Sequence, residues 1–180
     1  RLNWTRGSSI ARGIDIENSN SNHRFWLEFN QREALFNPIS TIISQSEKRN
    51  PHSKLSQYKT FSYGQQIQAR REAKLSGYDD ALLLNIYNEM CCGTTSNLLV
   101  KRNNQFLTPS LKSGCLPGIM RSQGIKKGLF KEEKINAIPL KGDQWLLINS
   151  LSCHAIQNIG EIKLDIFHNP KSLWTSLLSK

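Results

Sequence analysis

Long apolar runs are missing from this sequence: none reaches the ~18–20 residues that a bilayer-spanning helix needs. The chain opens Arg-Leu-Asn-Trp-Thr-Arg-Gly, without the basic and then apolar stretches of a secretory signal. It also lacks an initiator Met, so a fragment of a longer polypeptide is expected. Acidic residues are few, 14 Asp+Glu against 24 Lys+Arg, for a formal net charge of +10. Such a surplus first suggests nucleic acid or an anionic membrane. The basic residues, however, are scattered from Arg1 to Lys180. The densest groups are interrupted, Lys126, Lys127, Lys131 and Lys134 by Glu132 and Glu133, and Arg70-Arg71 by Glu72. There is no aromatic-interleaved basic stripe on which bases could stack. The expectation is a basic surface with neither nucleic acid nor membrane as partner.

Cysteine is scarce and poorly spaced for structural work. Cys91 and Cys92 are adjacent, a pair that rarely bridges, and no Cys-x-x-Cys exists to hold zinc. His23, His52, His154 and His168 show no ligand spacing. Reduced thiols in a cytoplasmic protein are expected, with no metal site. Internal repeats are absent too.

What is present suffices for one core: 180 residues, 38% of them hydrophobic. Trp4 to Ile16 reads as a strand followed by a glycine-punctuated loop, and Phe25 to Phe29 as a short strand. Ser44 to Ser53 is polar, contains Pro51 and reads as an exposed connection. Tyr63 to Leu75 favours helix, with Gly77 placed as a C-cap glycine. Leu98-Leu99-Val100 and Phe106-Leu107 flank Arg102-Asn103-Asn104 as a hairpin. Pro117-Gly118 opens a helix through Lys127, Ile135 to Leu140 and Trp145 to Ile148 suggest strands, and Asn169-Pro170 opens a closing helix. This mixture predicts an α/β (α+β) fold.

Three segments then carry chemistry. The first is Tyr58-Lys59-Thr60-Phe61-Ser62-Tyr63, continued by Ala69-Arg70-Arg71-Glu72-Ala73 and Gly77-Tyr78-Asp79-Asp80-Ala81-Leu82-Leu83-Leu84. The second is Gly93-Thr94-Thr95-Ser96-Asn97-Leu98-Leu99-Val100, ending at Leu107-Thr108-Pro109. The third is Gly114-Cys115-Leu116-Pro117-Gly118-Ile119-Met120-Arg121. In this order and spacing, over about Leu55 to Lys127, they resemble the class IV aminotransferases, the fold-type IV pyridoxal-phosphate enzymes. A fourth segment, Trp145-Leu146-Leu147-Ile148-Asn149-Ser150-Leu151, resembles the stretch typical of that family's aminodeoxychorismate lyase branch.

The resemblance implies the large cofactor-binding domain of the D-amino acid/branched-chain aminotransferase-like fold at residues 55–180. Residues 17–54 would be the interdomain connection and start of that domain, and residues 1–16 a remnant of a small N-terminal domain, mostly missing. It implies pyridoxal 5'-phosphate as cofactor and Lys59 as the lysine that joins it, since such an amine is a ready nucleophile once desolvated. Tyr63 would bond the cofactor's phenolic oxygen. Leu116 and Thr95 would face the two sides of the ring. Ile119 and Met120, at a helix N-terminus, would hold the phosphate through backbone amides, with Ser150 beside them. Arg12 and Asn149 are candidate substrate contacts, for an amino acid-like, carboxylate-bearing substrate. The activity implied is release of pyruvate and 4-aminobenzoate, a folate precursor, by a homodimer. The alternatives are a branched-chain or D-amino acid aminotransferase and a non-catalytic pyridoxal-phosphate-binding relative.

One position departs from the pattern. Most members carry a glutamate that pairs with the protonated pyridine nitrogen, and here that place is Cys92. A neutral thiol offers only a weak hydrogen bond, so the electron sink is expected to be weaker. Glu89, three residues upstream, is the nearest carboxylate in sequence.

Overall fold

The computed structural model describes residues 1–7 and 23–178. They fall into two units, Arg1–Glu33 and Ala34–Lys180. In the first, β1 (Leu2–Thr5) pairs antiparallel with β2 (Arg24–Leu27), with Asn3 opposite Trp26.

The second unit is built on a closed ring of strands. β3 (Ile39–Arg49) runs parallel to β4 (Asp80–Asn85), which pairs antiparallel with β5 (Met90–Gly93). β5 then meets β6 (Asn97–Arg102), and β6 pairs along its other edge with β9 (Gln144–Asn149). β9 turns back into β10 (Ser152–Ile159), and β10 lies parallel to β3, which closes the ring. Closure leaves these six strands few open edges. β7 (Gln105–Thr108) and β8 (Phe130–Glu132) extend the sheet from the far end of β6, and β11 (Ile162–Lys163) pairs with β10.

Alternation along the strands sorts side chains between the inside and the outside of the ring. Leu82, Met90, Leu98, Val100, Trp145, Leu147 and Ile156 form one buried cluster. Outside, the small residues Ala69 and Ala73 let α1 (Gly64–Leu75) lie close against Ala81 and Leu83. A third cluster joins Leu99, Leu146, Ile148 and Cys153 to Met120 of α2 (Ile119–Lys126) and Leu177 of α3 (Pro170–Leu178). Each large side chain so buried contributes about 1.5–3 kcal/mol.

Two expectations are corrected. Ser44 to Ser53 is not an exposed connection, because β3 runs to Arg49 and both Ser44 and Arg49 are buried. Its polarity is satisfied laterally, the Ser44 hydroxyl donating to Glu72 Oε2 at 2.7 Å and the Gln45 amide to Glu72 Oε1 at 2.8 Å. Ile135 to Leu140 is irregular rather than a strand. Only Ile135 of it is fully buried in the core, its carbonyl accepting from the Met90 amide at 2.9 Å. β10, by contrast, was invisible as a strand, since burial on both faces removes a clean alternation.

Candidate active site

The motif segments meet at one end of the ring because they are its connections. Lys59 lies exposed on the link between a 3₁₀ turn (Lys54–Gln57) and α1, and half-buried Tyr63 takes the N-cap position of α1. The Thr94-Thr95-Ser96 turn joins β5 to β6, the Leu116-Pro117-Gly118 turn opens α2, and Ser150-Leu151 joins β9 to β10.

Two asparagines sew these turns together. Asn97 Nδ2 donates to the Leu116 carbonyl at 2.8 Å. Its Oδ1 lies so close to Gly118 that a Cβ there would stand 2.0 Å away, which is why this turn takes glycine. Asn149 Nδ2 donates to Ser96 Oγ at 2.9 Å and to the Thr95 carbonyl at 3.4 Å. Asn149 Oδ1 accepts from the Leu151 amide at 2.8 Å and Ser152 Oγ at 3.1 Å. Asn149, expected as a substrate contact, therefore has both ends of its amide engaged in holding two turns.

A third tie comes from the arginine-rich helix. Arg70 donates from Nε to Thr94 Oγ1 at 2.8 Å and from Nη2 to Asp80 Oδ2 at 2.8 Å and Thr95 Oγ1 at 3.2 Å. Thr94 Oγ1 in turn donates to Asp80 Oδ1 at 2.6 Å. Thr95 is thus exposed but held by its hydroxyl. Sequence reading gave Arg70, Asp80 and Asn97 no role, although all three lie inside the quoted motifs.

The remaining expected residues are distributed as follows. Ile119 is exposed and Met120 is buried by its side chain, both in the first turn of α2, where backbone N–H groups have no partner within the helix. Ser150 is exposed in its turn. Tyr63 and Leu116 line a cavity of about 330 Å³ together with Arg49, Tyr58, Thr60 and Gln65. Among the described residues of that lining there is no carboxylate. Arg12 lies outside the described residues.

Cys92 sits buried on β5 behind this rim. Leu83 is paired with Cys92 and Leu84 with Met90, so Cys91 is an extra residue in the strand, a β-bulge. The bulge explains why both adjacent thiols join the α1-side cluster with Cys115. Cys92 donates toward Cys91, and that bond together with burial pushes the Cys92 thiol well up, so it stays protonated. The same bond, the Ser113 hydroxyl at 3.6 Å and the Arg49 guanidinium draw the Cys91 thiol down against its burial. Burial pushes Cys115 up to about 11. Glu89 does not replace the missing carboxylate: its oxygens are taken by Asn85 Nδ2 at 3.0 Å and Lys134 Nζ at 2.6 Å.

This donor set fits pyridoxal phosphate in most respects. Free amides at a helix start suit its phosphate, hydroxyls and an apolar Leu116 suit its ring, and the exposed Lys59 amine suits its aldehyde once the bound group desolvates it. Only the pyridine nitrogen lacks the acidic partner usual in the resemblance.

Comparison with known proteins bears on family and fold. A provisionally assigned aminodeoxychorismate lyase of Schizosaccharomyces pombe is 38% identical over 85 residues, covering 45% of this chain and 37% of that protein. A provisionally assigned branched-chain aminotransferase of Aquifex aeolicus is 32% identical over 98 residues, covering 54% of this chain and 31% of that protein. The chain spans about a third of the length of these curated relatives. Among solved structures, a provisionally assigned 4-amino-4-deoxychorismate lyase from Legionella pneumophila superposes with a TM-score of 0.68 at 26% identity, covering 87% of this chain and 59% of that one. The pyridoxal-phosphate form of a branched-chain aminotransferase from Thermobaculum terrenum shares the fold, with a TM-score of 0.68 at 22% identity over 78% of this chain and 50% of that one. The family model described as amino-transferase class IV matches residues 1–159, and with the strand ring and its motif-bearing rim this establishes that the chain belongs to the class IV aminotransferase family.

Proposed function

We propose that this chain carries the cofactor-binding domain of a pyridoxal-phosphate-dependent lyase that converts 4-amino-4-deoxychorismate to 4-aminobenzoate and pyruvate. The observation that supports it most is the fastening of the 94–97, 116–118 and 149–151 turns to one another through Asn97 and Asn149, on the rim that also bears Lys59 and Tyr63. The Asn149-Ser150-Leu151 turn and the 38% identical lyase relative favour this branch of the family.

In this reading the α2 amides of Ile119 and Met120 and the Ser150 hydroxyl hold the cofactor phosphate. Tyr63 would hydrogen-bond the ring's phenolic oxygen, and Leu116 and Thr95 would pack against the ring. When bound, pyridoxal phosphate supplies an aldehyde for amine chemistry and a ring that accepts electron density. Lys59 would hold the aldehyde carbon through Nζ and, once released from it, would be the base that takes the proton from the amine-bearing carbon of the substrate. Arg12 meets a substrate carboxylate, while Asn149, its amide engaged at both ends, holds the 94–97 and 149–151 turns in place. Cys92, its proton committed toward Cys91, gives the ring nitrogen little support, and an elimination that creates an aromatic product has least need of it. The protein works as a homodimer in the cytoplasm.

A second reading, a branched-chain or D-amino acid aminotransferase, is favoured by the 32% identical relative. A stoppered assay separates the two. The lyase releases pyruvate and 4-aminobenzoate with no keto acid added, whereas an aminotransferase requires 2-oxoglutarate or another acceptor. Wild type and Cys92→Ala both binding cofactor yet failing in both assays would leave a non-catalytic binding protein.

A further inference from the structure

Arg49 is a strongly polar group that the sequence motifs leave unexplained. It ends β3, its residue is only 6% exposed, and its chain-mates on either side are a lysine and an asparagine. Its guanidinium reaches three separate segments. Nη2 donates to the Ser56 carbonyl at 3.0 Å, three residues before Lys59. Nη1 donates to Gln65 Oε1 at 3.2 Å, two residues after Tyr63. Nε donates to the Gly114 carbonyl at 3.2 Å, two residues before Leu116.

The surroundings tighten this junction. Gln65 Nε2 donates to the Lys48 carbonyl at 2.7 Å, and Ser56 Oγ donates to the Asn50 carbonyl at 2.7 Å. Gly114, at φ 95°, lets its backbone approach so closely that a Cβ would meet Pro51 Cα at 3.2 Å. The three oxygen acceptors of Arg49 are neutral, and among the described residues no carboxylate pairs with it. Burying a cation without a counter-charge is costly, so the arrangement persists only where the fork geometry is needed. A planar fork with five donors can span three directions at once, which an ammonium on a flexible stem does not do.

We propose that Arg49 is a positioning residue of the active site, holding the Lys59–Tyr63 segment against the Leu116–Gly118 turn across the cavity that both border. Arg49 itself borders that cavity, but its fork is committed to Gly114, Gln65 and Ser56, so it acts through the segments it fastens. The proposal rests on the pyridoxal-phosphate reading. Its charge leaves a second, independent mark, because the Cys91 thiol beside it is drawn down partly by that cation, with Cys92, Ser113 and Cys115 as the other titratable or polar groups facing the same spot.

The test compares wild type, Arg49→Met and Arg49→Lys, with Gln65→Leu as a milder variant that removes one of the three struts. Far-ultraviolet circular dichroism checks the fold. Titration of pyridoxal phosphate by absorbance gives affinity, and the ultraviolet absorbance of thiolate against pH follows the cysteines without cofactor. Expected are a loss of cofactor affinity of at least about tenfold in both Arg49 variants and a smaller loss in Gln65→Leu. The thiol titration should move to higher pH in Arg49→Met and stay near wild type in Arg49→Lys, which keeps the charge and loses the fork. Folded Arg49→Met or Arg49→Lys with wild-type affinity overturns the proposal, as does unchanged affinity in Gln65→Leu should the Arg49 variants fail to fold. Wild type that takes up no pyridoxal phosphate overturns the cofactor reading itself, a result distinct from unaltered binding in the variants.

Discussion

The inside of the strand ring and the rim at its end are built by opposite means. The interior is apolar, and Trp145, Leu82, Leu98 and Leu147 are held by many weak contacts, each replaceable only at a cost in packing. The rim is polar, and a handful of side chains, Asn97, Asn149, Arg70 and Arg49, each bridge segments distant in sequence. The interior can therefore lose one group and weaken, whereas the rim can lose one group and come apart locally. A stable ring permits this, because its connections need not contribute to the core and are free to serve chemistry.

Substitutions on the two sides separate the contributions. The largest effect is expected from Lys59→Ala, which removes the proposed nucleophile from an exposed link. Turnover of 4-amino-4-deoxychorismate should fall roughly 10⁴-fold, about 5 kcal/mol of barrier, while a thermal melt stays at the wild-type midpoint. Trp145→Ala is the converse. It should cost about 3–5 kcal/mol of stability, read by urea unfolding, with cofactor affinity per folded molecule unchanged.

Gly118→Ala tests the rim at its closest approach. The added methyl must displace Asn97, costing about 1–3 kcal/mol, and cofactor affinity should weaken with it; a variant that melts and binds like wild type would show that the turn is not held as described. Asn149→Ala should cost about 1 kcal/mol and loosen the 149–151 turn, visible as faster amide hydrogen exchange at Leu151.

The smallest effect concerns pH. Asp143 is almost fully buried and accepts a two-pronged bond from Arg102 at 2.8 and 2.7 Å, plus the Leu140 amide at 3.0 Å. Burial opposes ionisation there, yet these donors hold its carboxyl below the usual aspartate range. A carboxyl lowered on folding contributes fully above its unfolded pKa, and that contribution is lost as pH falls through the folded value. Wild-type stability should thus decline in acid, and Asp143→Asn should flatten that part of the curve without touching the rim.

Much of the ring was legible residue by residue. The Leu98–Leu107 hairpin and the Trp145–Ile148 run became strands because short apolar stretches bounded by turn residues have few other uses. The helix starts at Pro117-Gly118 and Asn169-Pro170 were equally clear. Ser44 to Arg49 misled, because a polar strand is recognisable only once its partner, Glu72 of α1, is known to receive its donors. The expected site residues were readable as motif members, but the roles of Arg49 and Asn149 were not, since their acceptors lie up to 65 residues away.

By itself, then, the sequence determined some of the strands and helices, and the order of its motifs carried the family resemblance in which Cys92 stands where most members have a glutamate. The former follow from local composition, the latter from motif order and spacing. Tertiary structure alone decided that six strands close into a ring, that a bulge turns Cys91 and Cys92 to one side, and that Arg49 sits buried among neutral acceptors. The reason is physical: strand pairing and hydrogen-bond bridging join residues far apart in the chain, and no local pattern records which donor will meet which acceptor.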